Sequence, residues 1–202
     1  AQKPVQITAN KDNSYDLASV SATYPETTSK LPKTASKTLA KDAWRQIEFV
    51  PITNGTNLTD QIKELISFKQ KTWNGTNFSD SMIREEAPTT FAQSNFSEKK
   101  LPKSAKTSLL LNGDVVKNGF SYGDYKTSWF IYGNTDGNGK VLNLAVSPDY
   151  KAPSKNFIKN LQKLAGNEFA IVDWYKDTIV DTRTESSIAD WAQIYKESEV
   201  AK

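Results

Sequence analysis

The side chains able to do chemistry in this chain are carboxylates, hydroxyls, lysines and aromatics, because its 202 residues include neither cysteine nor histidine. Without cysteine there is no disulfide, no thiolate nucleophile and no cysteine-bound zinc or iron–sulfur cluster. Without histidine there is no Ser-His-Asp triad, no imidazole metal ligand and no side chain whose ordinary pKa lies near neutrality. Paired carboxylates, Ser-Lys or lysine Schiff-base chemistry and oxygen-ligated cations remain.

Carboxylates recur at Glu85-Glu86, Asp173, Asp177, Asp181, Glu185 and Asp190. A glycosidase needs two of them converging in a cleft, one with its pKa raised by burial. Asp173 stands out because it interrupts the apolar run EFAIVDWY beside Trp174. Strand ends often carry aspartate, however, and no spacing identifies a partner for it. Asn134, Asp136, Asn138 and Gly139 fit the start of an EF-hand loop, but Ala145 stands where the bidentate glutamate belongs. A polar hairpin loop is the simpler reading. Ser97 and Lys100 fit S-x-x-K, and Lys-Thr-Ser follows at 106–108 and 126–128, a pattern of penicillin-binding enzymes. The chain is short for that fold, and Ser97 falls in a connector.

The aromatics Tyr122, Tyr125, Trp129, Tyr132, Trp174 and Tyr175 can offer flat faces to sugar C–H groups. In strands of period two, half of them belong to the core. The candidate ligand-binding residues are therefore Tyr122, Tyr125, Trp129, Tyr132, Asp173 and Tyr175. No catalytic residue, metal ligand or cofactor is expected.

The elements that must position these groups follow from periodicity. RQIEFVPI (45–52) reads as a strand with Ile47, Phe49 and Pro51 on one face. LTDQIKELISFKQKTW (58–73) has helical spacing, with Ile62, Leu65, Ile66, Lys69 and Trp73 in one stripe and Thr59 or Asp60 as cap. SDSMIREEA (79–87) predicts a short helix that stops before Pro88. Asn112-Gly113 between apolar runs is a hairpin signal, and Trp129–Tyr132 opposite Val141–Val146 forms a second hairpin. Ser154 opens a helix with Phe157, Ile158, Leu161, Leu164 and Ala165 on one face and Gly166 as its left-handed stop. Residues 168–175 read as a central strand. A last helix presents Ile188, Trp191 and Tyr195, with Ser187 and Asp190 as a capping box.

The hexapeptides NGTNLT (54–59) and NGTNFS (74–79) carry four Asn-x-Ser/Thr sites, and Asn95 begins a fifth. Five of the nine glycines follow asparagine, so turns leading into helix caps explain the hexapeptides more simply than glycosylation or duplication. A second echo, LPKTASKTL (31–39) against LPKSAKTSL (101–109), has flanks that do not align.

Residues 1–42 are rich in Lys, Ser, Thr and Pro and read as an extended tether or arm, contributing little stability, although Val5-Gln6-Ile7 suits a short edge strand. The expected organisation is this arm followed by one α+β domain over 43–202. The alternative is two subdomains, 43–96 and 107–202, joined by 97–106. The fold class is α+β: an antiparallel sheet built from hairpins, with two to three packed helices.

Composition bounds the partners. Twenty-six basic and 23 acidic residues are spread along the chain, which is a solvated surface and not the clustered basic face that nucleic acid needs. No apolar run is long enough for a membrane span, so contact with a membrane requires an anchor outside this chain. Ala1-Gln2-Lys3-Pro4 has no apolar core of a secretory signal.

In composition, the Lys/Asn/Thr/Ser-rich, cysteine-free chain resembles the extracellular part of small Gram-positive cell-surface proteins or lipoproteins. The resemblance spans the tether and general composition, and no motif carries it. It implies a secreted, cell-surface or lipid-anchored binding role instead of catalysis; the many Trp and Tyr, the near-neutral charge and the Asn-rich turns suit a neutral envelope glycan or peptide, and a monomer is expected. The rivals are a carboxylate-dependent enzyme acting on glycans and a structural or adhesive surface module.

Overall fold

The computed structural model describes residues 24–52, 60, 63, 64, 67, 91–102 and 106–200. The two Asn-Gly hexapeptides, the stripe from Ile62 to Trp73, Glu85-Glu86, the expected helix over 79–87 and Val5–Ile7 lie outside the described residues. Asp60, Lys63, Glu64 and Ser67 are helical, within the helix expected over 58–73.

Among the described residues, ten strands and two long helices follow in order: β1 (Thr27–Thr28), β2 (Ser36–Leu39), β3 (Ile47–Pro51), β4 (Ser108–Leu111), β5 (Asp114–Val116), β6 (Gly119–Gly123), β7 (Phe130–Thr135), β8 (Val141–Ser147), α1 (Lys155–Ala165), β9 (Phe169–Asp173), β10 (Thr178–Val180) and α2 (Glu185–Val200). They form a six-stranded antiparallel sheet of order β10-β9-β3-β8-β7-β6 and a four-stranded sheet of order β1-β5-β4-β2. The fold is α+β, and hairpins build most of it. In the smaller sheet, β2 and β4 run parallel, which the long connection between them allows.

Both hairpins read from the sequence are present. Asn112 and Gly113 have φ of 49° and 87°, the two positive values of a type I′ turn, whose twist matches its strands. β7 and β8 pair from Phe130↔Ser147 to Thr135↔Val141. β9 lies between β10 and β3, as an interior strand should.

Period-two alternation gives the large sheet two buried faces. Ile47, Phe49, Phe169 and Ile171 join Phe120, Ile131, Leu144 and Val146 under the helices. α1 covers them with Phe157, Ile158, Leu161, Leu164 and Ala165, and α2 with Ile188, Trp191, Ala192 and Tyr195. On the other face, Phe130, Tyr132 and Ala145 pack against Leu39, Leu109, Leu111 and Val116 of the four-stranded sheet, with Trp44 between them. Next to these, Val50, Ala170, Val172 and Trp174 form a third buried cluster.

The helix ends differ from expectation in detail. Ser154 caps α1, accepting from Phe157 N at 3.1 Å. Gly166 ends it with φ 52° and ψ −137°, a positive φ outside the left-handed helical well. α2 begins earlier than the Ser187 box implies: Thr184 Oγ1 accepts from Ser187 N at 3.2 Å and is the cap.

The arm is tied in over its described part. β2 pairs with β4 through four residues, from Ser36↔Ser108 to Leu39↔Leu111. Leu39 is 3% exposed in the core between the sheets, and Tyr24 packs against the same cluster. Only one large apolar residue of β2 is buried, so a reading by composition overlooks it. Deleting residues 1–42 should therefore lower the melting temperature by more than about 10 °C, since a buried leucine and a strand ladder are lost together. Calorimetry of both chains checks this, and a shift of only a few degrees would show β2 to be dispensable.

Candidate functional site

Strand directions place three loops at one end of the six-stranded sheet. Ile47 pairs with Asp173, Glu48 with Ala145, and Phe130 with both Ser147 and Gly123. The ends of β6, β8 and β9 and the starts of β7 and β3 are thus together. Residues 124–129, 148–154 and 174–177 leave this end as loops, and each carries one exposed tyrosine: Tyr125, 74% exposed, Tyr150, 43%, and Tyr175, 44%. At about 4.8 Å per strand, the loop bases span about 20 Å across the sheet.

Polar side chains, two of them buried carboxylates, hold these loops. The Asp124 carboxylate accepts from Ser154 N at 2.9 Å, Ser154 Oγ at 2.6 Å and Thr127 Oγ1 at 2.7 Å. Burial pushes its pKa up, but the donors on Ser154 and Thr127 outweigh this and hold it below the usual carboxylate value. Asp149 Oδ2 accepts from Ser128 N at 3.0 Å, and Trp129 Nε1 donates to Lys151 O at 2.6 Å. The 124–129 and 148–154 loops are therefore cross-braced. The third loop is held by Asp173, whose Oδ1 accepts from Lys176 N at 3.1 Å.

The residues read as a ligand set from the sequence separate into two groups. Trp129 and Tyr132 are fully buried and Tyr122 is 8% exposed. Trp129 meets Trp191 and Tyr195 edge-on, with centroids 5.6 and 5.7 Å apart. Tyr132 Oη accepts from Arg45 N at 2.8 Å and donates to Ala43 O at 3.1 Å, tying β7 to the connection between β2 and β3. Burial pushes the Tyr132 phenol up, and the Tyr122 phenol as well, where Glu98 adds to the effect. These three rings are framework.

Asp173 is also enclosed, at 0% exposure. Its Oδ2 accepts from Trp191 Nε1 at 2.9 Å and from Tyr195 Oη at 2.5 Å. Burial first, and then the Asp173 charge, push the Tyr195 phenol well above its ordinary value. A general acid or base must reach the proton it transfers, and this carboxylate is instead satisfied by α2. On the sheet's other face, Glu48 Oε2 pairs with Arg45 Nε at 2.8 Å and its Oε1 accepts from Trp174 Nε1 at 3.1 Å. Sequence reasoning did not single out this buried pair; the alternation in QIEFV, which sets Glu48 opposite Ile47 and Phe49, was the available signal.

Tyr125 and Tyr175 remain accessible. Partial burial, with the carboxylates of Asp42 and Asp173, pushes the Tyr175 phenol to about 12, so it stays uncharged in neutral solution. Lys126 Nζ lies over the Tyr125 ring at 5.4 Å, a weak contact that a flat ligand face can replace. Tyr150 was missed, though its setting in SPDYKAP, between a strand and a capped helix, marks an exposed loop.

The other motifs serve structure. Asp136 Oδ1 accepts from Asn138 N at 2.7 Å and Lys140 N at 3.1 Å, closing the β7–β8 loop, and these donors hold its pKa down. Ser97 Oγ accepts from Lys99 N at 3.3 Å as the cap of the 3-10 turn Glu98–Lys100. Among the described residues, no helix is long and apolar enough to cross a membrane.

Comparison with protein-family models, with curated proteins and with solved structures finds no match to this chain.

Proposed function

We propose that this chain is a non-enzymatic binding domain of the cell envelope, placed outside the cytoplasm, that takes a neutral glycan or an extended peptide across its tyrosine end. The observation that carries this reading is the set of three exposed tyrosines on three loops at one end of one sheet, braced by Asp124, Asp149 and Asp173. Rings on braced loops lose little conformational freedom on binding, and a row about 20 Å long suits a polymer better than a small molecule. Lys126, Lys151 and Lys176 alternate with Asp149 and Asp177 on these loops, so the end favours neither sign of ligand charge.

The location rests on the resemblance in composition to Gram-positive surface proteins, which are likewise cysteine-free and rich in Lys, Asn, Thr and Ser. In this reading the domain works as a monomer, reaches a membrane only through an anchor outside this chain and has no nucleic-acid partner.

Arrays of neutral glycans and of peptides, probed with the purified protein at low and high salt, test the proposal. Binding should be retained at high salt, because stacking and amide hydrogen bonds are screened little. A steep loss with salt would point to an electrostatic binder. Glycan hydrolysis that is lost in Asp173→Asn while the variant remains folded would replace the reading with a carboxylate enzyme.

A further inference from the structure

At the opposite end of the six-stranded sheet, a groove of about 850 Å³ opens between the 3-10 turn Glu98–Lys100 and the end of α1. Its floor is apolar, formed by the buried side chains of Phe96, Leu101 and Leu164. Its rim carries Lys99, Lys100 and Lys163. A second hollow of about 360 Å³ shares Lys163 and adds Lys159 and Arg183. Of these cations, Lys100 pairs with Glu168 at 3.8 Å and Arg183 with Asp181 at 3.0 Å. Lys99, Lys159 and Lys163 have no carboxylate partner among the described residues. Lys99 and Lys163 are thus unpaired ammonium groups on the rim of the groove, and Lys159 is a third in the adjoining hollow, whose lining also includes Glu185.

The geometry points to a second binding site here, for an extended acidic peptide that carries apolar side chains. Three features select that occupant. Unpaired lysines favour carboxylates, which raise encounter rates and fix register. An apolar floor stabilises only a ligand with apolar groups to bury, which a bare phosphate polymer lacks. The end of α1 also offers acceptors. Among its last carbonyls, Gln162 O accepts from Gly166 N and Ala165 O from Glu168 N, while no described backbone N–H reaches those of Lys163 and Leu164. A peptide backbone supplies N–H donors, and a polyphosphate does not. The volume lies within the range of ordinary ligand sites. This site shares no residue with the tyrosine end and does not depend on it.

The test titrates a short fluorescein-labelled peptide alternating leucine and glutamate into the full chain and reads fluorescence anisotropy. Saturable binding is expected, weakened about tenfold or more by Lys99→Glu with Lys163→Glu, and weakened by added salt. Lys99→Ala with Lys163→Ala should act in the same direction without adding carboxylates; both pairs are exposed, and melting curves check that they fold. A glutamine-for-glutamate peptide should bind at least about tenfold more weakly, and inorganic polyphosphate should not displace the acidic peptide. Substituting Tyr125, Tyr150 and Tyr175 together by alanine should leave the affinity unchanged. The proposal is overturned by absent saturation, by equal binding of the glutamine peptide, by unchanged affinity in the folded lysine variants, by displacement with polyphosphate, or by loss of binding in the tyrosine variant.

Discussion

Asp173→Ala is expected to lower the unfolding free energy by about 3 to 5 kcal/mol, because it leaves two buried donors and one half-buried loop N–H without an acceptor. Trp191 Nε1 and Tyr195 Oη lose their bonds to Oδ2, and Lys176 N loses its bond to Oδ1. Two of these donors come from α2 and the third from the β9–β10 loop, so one carboxylate holds a helix and a tyrosine-bearing loop to the end of β9. Trp191 and Tyr195 also meet edge-on at 5.9 Å, and that aromatic cluster should loosen with the helix. Asp173→Asn keeps one acceptor oxygen and should cost less, about 1 to 3 kcal/mol. Urea denaturation of both variants measures this. An unchanged midpoint for Asp173→Ala would show that apolar contacts alone hold α2.

Trp174→Ala should cost about 3 to 5 kcal/mol as a large cavity in a packed cluster. The ring is 0% exposed and packs with Val50, Ala170 and Val172, with Ile179 beside them. Its Nε1 donates to Glu48 Oε1, so the truncation also removes a donor from a buried carboxylate. Trp174→Phe separates the two effects: it keeps most of the volume and loses the hydrogen bond, for a cost of about 1 kcal/mol. Denaturant midpoints decide between them. A loss below about 1 kcal/mol for Trp174→Ala would place the ring outside the packed interior.

The parts of this fold legible in the sequence are those whose signal is local. The stripe from Phe157 to Ala165 is the buried face of α1, and Asn112-Gly113 makes a turn because its two positive φ values suit those residues. Ile47 and Phe49 alternate with Glu48 and Val50 as a strand buried on both sides requires. Strands β2, β6 and β10 were not legible. SKTL lies in a polar arm and exists because the distant β4 completes its ladder, whereas GFSYG, with glycine at both ends, and TIV, too short for a period, form hairpins with their neighbours β7 and β9 but carry little pattern of their own.

The candidate site was legible only in part, for the same reason. Tyr125 and Trp129 are four residues apart, yet one is 74% exposed and the other 0%. Their difference is set by where β7 begins and by the bond from Trp129 to Lys151, and neither can be read from residue type. Asp173 likewise looked like a reactive group because it broke an apolar run. In the structure it is the acceptor that the tryptophan and tyrosine of α2 require, two residues whose relation to it depends on how that helix packs.

The central claim is that ligand binds across Tyr125, Tyr150 and Tyr175, and co-sedimentation with insoluble Gram-positive cell wall tests it most directly. The wild-type chain and a variant with all three tyrosines replaced by alanine are compared at equal concentration, after melting curves show that both fold. Each ring in a stacking contact contributes about 0.5 to 1.5 kcal/mol, so the variant should bind at least about tenfold more weakly. Equal sedimentation of the two proteins, or failure of the wild type to bind either wall material or any arrayed glycan or peptide, would contradict the account.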